Sequence, residues 1–138
     1  MSFEKMSNIE IDNRKRSFVI LYNFNNKESA MIKNICNMLG AKDQVILSSK
    51  NANSTIRNLT NNNIDYECEN GINQKAMIFN NVAPMKVSAF IDSLKKFRIV
   101  KPLIAVNTEG NIDWSLNTLV SHLLKERLSM KSGKTVKH

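Results

Sequence analysis

Two stretches of this chain are apolar at nearly every position, FVILY at 18–22 and AMIF at 76–79. A strand that faces water on one side alternates apolar and polar residues, so unbroken runs predict strands covered on both faces. QVILS at 44–48 and PLIAV at 102–106 have the same character.

Between the strands the spacing turns helical. Over 26–39, Met31, Ile32, Ile35, Cys36, Met38 and Leu39 recur on one helical face. Asn25 followed by Glu28 predicts a capping box at its start, and Gly40 a left-handed stop. A later helix starts at Pro84, acceptable in a first turn, and buries Val87, Phe90, Ile91, Leu94 and Phe97. The last helix begins at Asp113 or Trp114 and buries Leu116, Leu119, Val120, Leu123 and Leu124. Around Ile56 and Leu59 stand Asn51, Asn53, Asn58, Asn61, Asn62 and Asn63, poor helix formers that leave a short helix and a loop. The alternation Ile64, Tyr66, Cys68 before Asn70-Gly71 predicts a hairpin strand with a type I′ turn.

The order of these elements occurs twice. IEIDN (9–13) and FVILYN (18–23) correspond to YECEN (66–70) and AMIFN (76–80), 57 apart through Asn23 and Asn80. Ile32, Cys36 and Leu39 stand 58 before Phe90, Leu94 and Phe97, and the strands at 44–48 and 102–106 keep that step. Ile56 and Leu59 stand 60 before Leu116 and Leu119. Self-similarity through four successive elements predicts a degenerate tandem duplication. The expected organisation is an N-terminal segment with a short strand (1–16), a first βαβα repeat (17–63), a second repeat (64–128) and a basic, disordered tail (129–138). The halves are expected to share one core. Helices between strands imply parallel crossovers, so the fold class is α/β with a mixed or mainly parallel sheet.

Composition narrows the function classes. An apolar fraction of 42% in 138 residues is enough for a core without disulfides. No apolar run is long enough for a transmembrane helix, and MSFEKMSNIEIDNRKR lacks a secretory apolar stretch. Cys36 and Cys68 form no CxxC pair, so neither a metal site nor a redox motif is expected, and no cofactor either. The expected location is the reduced cytoplasm.

The net charge is +8. Lys95, Lys96, Arg98 and Lys101 form one cluster. Lys125, Arg127, Lys131, Lys134 and Lys137 against Glu126 form another, a local excess of +4. Both suit nucleic acid, although lysines near a helix end also answer its dipole.

Ligands of open α/β sheets bind beyond the strand carboxyl ends. Here those ends carry Asn23 and Asn25, Ser48 and Ser49, Asn80 and Asn81, and Asn107 and Thr108. There is no glycine-rich phosphate cradle, and Asp113 is expected to cap the last helix, which disfavours a nucleotide there. Trp114, the single tryptophan, lies opposite the core stripe of that helix and should cover the strand–helix junction. The alternative is an exposed anchor for a partner. His122 and Glu126 read as a surface pair, Cys36 as an inert core thiol and Cys68 as a more accessible one. Ser115 and His122 lack an acid to complete a triad, so no catalytic residue is assigned.

With VILYNFNNKESAMIKNICNMLGA (19–41) and AVNTEGNIDWSLNTLVSHLLKER (105–127), the chain resembles an uncharacterised α/β domain family of clostridia and related Firmicutes. The resemblance covers most of 18–127 and rests on Thr108, Asn111, Trp114, Ser115 and Leu116. Asn81-Val82 departs from the family's Gly-Phe, and 50–75 matches poorly. The resemblance implies an α/β fold and no activity. The leading expectation is a non-catalytic protein-interaction or regulatory module contacting its partner through Asn107, Thr108, Asn111, Trp114 and Ser115. The alternative is a nucleic-acid-binding protein using Lys95, Lys96, Arg98, Lys101, Lys131, Lys134 and Lys137. A small-molecule enzyme with a pocket at the strand ends ranks third. Homodimerisation through a sheet face or the last helix is left open.

Overall fold

Every residue of β1 (Phe18–Tyr22) is buried, as a strand enclosed on both edges and both faces must be. The computed structural model describes residues 16–107 and 109–132, without the side chains of 109 and 130–132. After β1 come α1 (Asn26–Met38), β2 (Gln44–Leu47), a 3-10 turn (Ser49–Asn51) and α2 (Ile56–Thr60). Then follow β3 (Ala76–Asn80), α3 (Pro84–Lys96), β4 (Leu103–Asn107), a second 3-10 turn (Glu109–Asn111) and α4 (Leu116–Ser132). The expected strand at 9–13 and the tail residues 133–138 lie outside the described residues.

The sheet order is β2-β1-β3-β4. The outer pairs β1–β2 and β3–β4 are parallel, joined through α1 and α3, while the central β1–β3 pair is antiparallel. The fold is therefore α/β with a mixed sheet. Val19, Leu21, Met77 and Phe79 project to the face covered by α1 and α3. Phe18, Ile20, Tyr22 and Ile78 project to the face covered by α2 and α4. Truncating a strand residue such as Ile20 to Ala should cost about 2–5 kcal/mol, since the cavity left has no way to collapse.

The element order repeats with a definite geometry. Ile20 and Ile78 are Cα partners in the central pair, 58 residues apart. The same step carries β1 onto β3 and α1 onto α3, each helix being 13 residues long. It also carries Asn23 (φ 68°) onto Asn81 (φ 55°), and Gly40 (φ 78°) onto Arg98 (φ 56°), all in the left-handed region. Past the second strand the step becomes 60, carrying Ser49–Asn51 onto Glu109–Asn111 and Thr55 onto Ser115. The antiparallel centre thus relates the halves by an approximate two-fold passing between Ile20 and Ile78. The sequence alignment through Asn23 and Asn80 was one residue short, because conformation pairs Asn23 with Asn81. For the outer strands the parallel registers set Val19 beside Gln44 and Met77 beside Ile104, a step of 60 and not 58.

The capping box at Asn25 and Glu28 is present, and so is the left-handed Gly40. Four local expectations fail. No hairpin strand forms at 64–70: among the described residues, Gly71 and Asn70 do not have the positive φ a type I′ turn requires. Instead this segment is laid against the 3-10 turn, with Cys68 N–H donating to the Lys50 carbonyl (3.0 Å). Cys68 is consequently buried at 8% exposure, the reverse of the accessible thiol expected. Met38 and Phe97 lie on the predicted stripes but at the last turn, where the helices have already outrun the sheet, and both are exposed. Finally α4 starts at Leu116, two to three residues later than expected, because Ser115 and not Asp113 is its cap.

Candidate functional site

The loop leaving β4 is held by contacts that cross the approximate two-fold. Arg57 N–H donates to the Ile112 carbonyl (2.9 Å), and Leu116 and Asn117 N–H donate to Ser54 and Ala52 (both 2.9 Å). Asp113, free of capping duty, is exposed and takes Arg57 Nε at 2.8 Å, which holds its carboxyl below the usual range. Ser115 Oγ accepts from Thr118 N–H (3.1 Å), satisfying an orphan donor of the first helical turn.

Trp114 is half-buried against the core layer beneath α2 and α4. Its indole lies 4.7 Å, centroid to centroid, from the imidazole of His122, two helical turns on, with 31° between the ring planes. The expectation that it covers the junction describes its packed edge, while the exposed His122 carries the pair into solvent. Asn111 stands half-exposed beside the same loop. Thr108 lies outside the described residues.

Asn107 is drawn away from that surface. It is 7% exposed, its Nδ2 donates to Asn80 Oδ1 (2.7 Å), and its own Oδ1 is buried with no partner among the described residues. Asn80 in turn donates to the Arg16 carbonyl (3.0 Å). These are the ends of β3 and β4. The polar ends of β1 and β2 lie at the other end of the sheet, because the central pair is antiparallel. A single pocket at all four strand ends is thus ruled out by topology.

Arg16, missed in the sequence because it stands in a polar N-terminal run, is a structural hub. Its guanidinium holds Asp43 through two bonds (2.7 and 3.0 Å) and donates to the Leu59 and Thr60 carbonyls that end α2. It also stacks 4.9 Å over the Phe18 ring.

At the amino end of β4 the two basic segments meet. Arg127 Nη2 donates to the Lys101 carbonyl (3.3 Å), tying the C-terminal half of α4 to the turn between α3 and β4. Lys95, Lys96, Arg98, Lys101 and Lys125 are all exposed there. Phe97 and Val100 stand among them at 50% and 85% exposure. Arg98, between these two apolar residues, takes a left-handed conformation just after α3 (φ 56°). Of the tail lysines, Lys134 and Lys137 lie outside the described residues, as does the side chain of Lys131.

Among the described residues no group of three His, Cys, Asp or Glu is placed to hold a metal, and no helix is long and apolar enough to cross a membrane. Residues 75–130 match the model of a domain of unknown function, DUF3783. The match runs from the start of β3 through most of α4, so it takes in Trp114, Ser115 and the 95–101 turn. It supports the resemblance to an uncharacterised family over the second half of the chain. No curated protein and no solved structure matches this chain.

Proposed function

We propose that this protein is a non-catalytic binding module for single-stranded nucleic acid, with its contact surface at the amino end of β4. The Arg127–Lys101 contact carries the reading, because it brings two basic segments 26 residues apart onto one surface. Exposed Phe97 adds what a merely solvated basic face lacks, a ring on which a base can stack. Lysines and arginines supply phosphate neutralisation without sequence readout.

The test is fluorescence anisotropy of a labelled single-stranded oligonucleotide over a range of salt. Affinity should fall steeply with salt, and Phe97→Ala should weaken binding by about 1–3 kcal/mol. Lys96→Ala should lower the salt slope by about one. Trp114 lies beyond the opposite end of β4, so its emission should not move. Absence of binding at low salt, or an unchanged affinity for Phe97→Ala, defeats the reading.

A second reading, a protein contact at Asn111, Trp114 and Ser115, is favoured by the Trp114–His122 ring pair, whose outer member is exposed. Such an anchor would be far less salt-sensitive. We also read the halves as copies of one ancestral βαβα unit, which the paired left-handed Asn23 and Asn81 support. The clostridial range of the resemblance and a cytoplasmic location belong to the same reading.

A further inference from the structure

A cavity of about 380 Å³ opens on the side of the sheet covered by α1 and α3, lined by Ser17, Lys42, Asp43, Asn81, Ala83 and Lys86 among others. It lies where β1 begins, β3 ends and α3 starts. The approximate two-fold shows what its counterpart in the first half contains.

There the place is filled by a carboxylate. Glu28, third residue of α1, accepts from the Asn25 N–H (3.1 Å) and from Lys75 Nζ. An anion thus sits at the positive end of α1, capped and neutralised by its own chain. The step of 58 turns Glu28 into Lys86, Lys75 into Ser17 and the capping Asn25 into Ala83. Ala83 makes no side-chain cap, Pro84 has no N–H, and the Lys86 and Val87 N–H groups both go to the Ala83 carbonyl. The equivalent anion and its cap are both gone from α3.

What replaces them is cationic space. Lys42 and Lys86 line the cavity, and neither forms an ion pair among the described residues. Lys86 Nζ lies 3.5 Å from where a Cβ on Gly40 would stand, so the ammonium group reaches across to the end of α1. Asp43, the one carboxylate in the lining, is already held by Arg16. Ser17 completes the wall, its Oγ donating to the Asn81 carbonyl (2.6 Å) and accepting from Asn81 Nδ2 (3.1 Å).

We propose that this cavity binds a small oxyanion, a phosphate or the phosphoryl group of a small molecule, in the position at α3 that the Glu28 carboxylate occupies at α1. The two ammonium groups supply the charge, and the α3 dipole the direction.

The test uses the full chain labelled with nitrogen-15. It is titrated with inorganic phosphate and, separately, glycerol 3-phosphate, at ionic strength held constant with chloride. The expected result is saturable shifts of the Lys86, Gly40 and Ser17 amides in wild type. Lys86→Glu, which restores the first half's carboxylate, should abolish them, and Lys42→Ala should weaken binding about tenfold. Tighter binding of glycerol 3-phosphate identifies an esterified ligand, and equal or weaker binding identifies the free oxyanion; either supports the proposal. Shifts that rise linearly and match chloride, or that persist in Lys86→Glu, overturn it. Should Lys86→Glu fail to fold, unchanged affinity in Lys42→Ala overturns it equally.

Discussion

Thr55 and Ser115 meet in an isolated antiparallel bridge, and each uses its hydroxyl to cap the helix that follows it. Thr55 Oγ1 accepts from Asn58 N–H and Ser115 Oγ from Thr118 N–H, both at 3.1 Å. The bridge therefore joins the starts of α2 and α4 beneath the same face of the sheet. Ser115→Ala and Thr55→Ala should each cost about 1 kcal/mol, the ordinary value of a lost cap. Because the two residues touch, the double variant should depart from additivity. Urea unfolding of the four proteins measures both terms, and strict additivity would mean the bridge transmits nothing.

Gly71 packs on the backbone of Ser49 so closely that a Cβ there would run into the Ser49 carbonyl. Gly71→Ala should destabilise the protein by about 1–3 kcal/mol, because the obstacle is backbone and has nowhere to go. Gly40→Ala meets only the tip of the Lys86 side chain, at an ordinary van der Waals distance of 3.5 Å, but has a φ of 78°, and should cost about 1–2 kcal/mol through backbone strain. Thermal unfolding ranks the pair, and a neutral Gly71→Ala would show that the 61–75 segment is not held where it is described.

The Tyr22 phenol should resist ionisation in the folded protein. Burial pushes the Tyr22 phenol up to about 12, while its hydroxyl donates to the Ile72 carbonyl (2.8 Å). Absorbance at alkaline pH, compared between wild type and Tyr22→Phe, should show Tyr22 ionising only on unfolding or near pH 12. A folded pKa raised above the unfolded one gives stability that is full below about pH 10 and lost as pH rises toward 12. Tyr22→Phe should shallow that loss. Ionisation of Tyr22 at its ordinary value near pH 10 in the folded protein would contradict the buried placement.

Burial likewise pushes the Cys36 thiol up to about 12. Together with buried Cys68, this predicts that a thiol reagent labels neither cysteine in the folded protein at neutral pH, and both after denaturation. Rapid native labelling of Cys68 would restore the accessible thiol that the sequence had led us to expect.

The hydrogen bond from Arg16 holds the Asp43 carboxyl below its ordinary value. A depressed folded pKa gives stability that is present above the unfolded value, near pH 4, and lost as pH falls further. Both partners are partly exposed, so Asp43→Asn should cost no more than about 1 kcal/mol at pH 7, and less as the pH falls and the carboxylate takes up its proton. Arg16→Ala should cost more than Asp43→Asn, since it also releases the α2 carbonyls. Equal effects would reduce Arg16 to its ion pair.

Much of this molecule is legible in the order of its residues. The unbroken apolar runs at 18–22 and 76–79 require strands buried on both faces, and Asn25, Glu28, Gly40 and Pro84 mark helix ends, because these effects act within a few residues. What pairs with what is not local. The antiparallel join of β1 to β3, which sends the polar strand ends to opposite ends of the sheet, follows from how the two halves bury their apolar faces together. The same holds for the candidate surfaces. The basic residues are plain in the sequence, but only the packing of α4 along the sheet brings Arg127 to Lys101 and leaves Phe97 outside. Cys68 and Asp113 show the limit most directly: alternation predicted a strand for one and position a cap for the other. Tertiary contacts with Lys50 and Arg57 decided both, since a hydrogen bond between distant segments leaves no trace in local spacing.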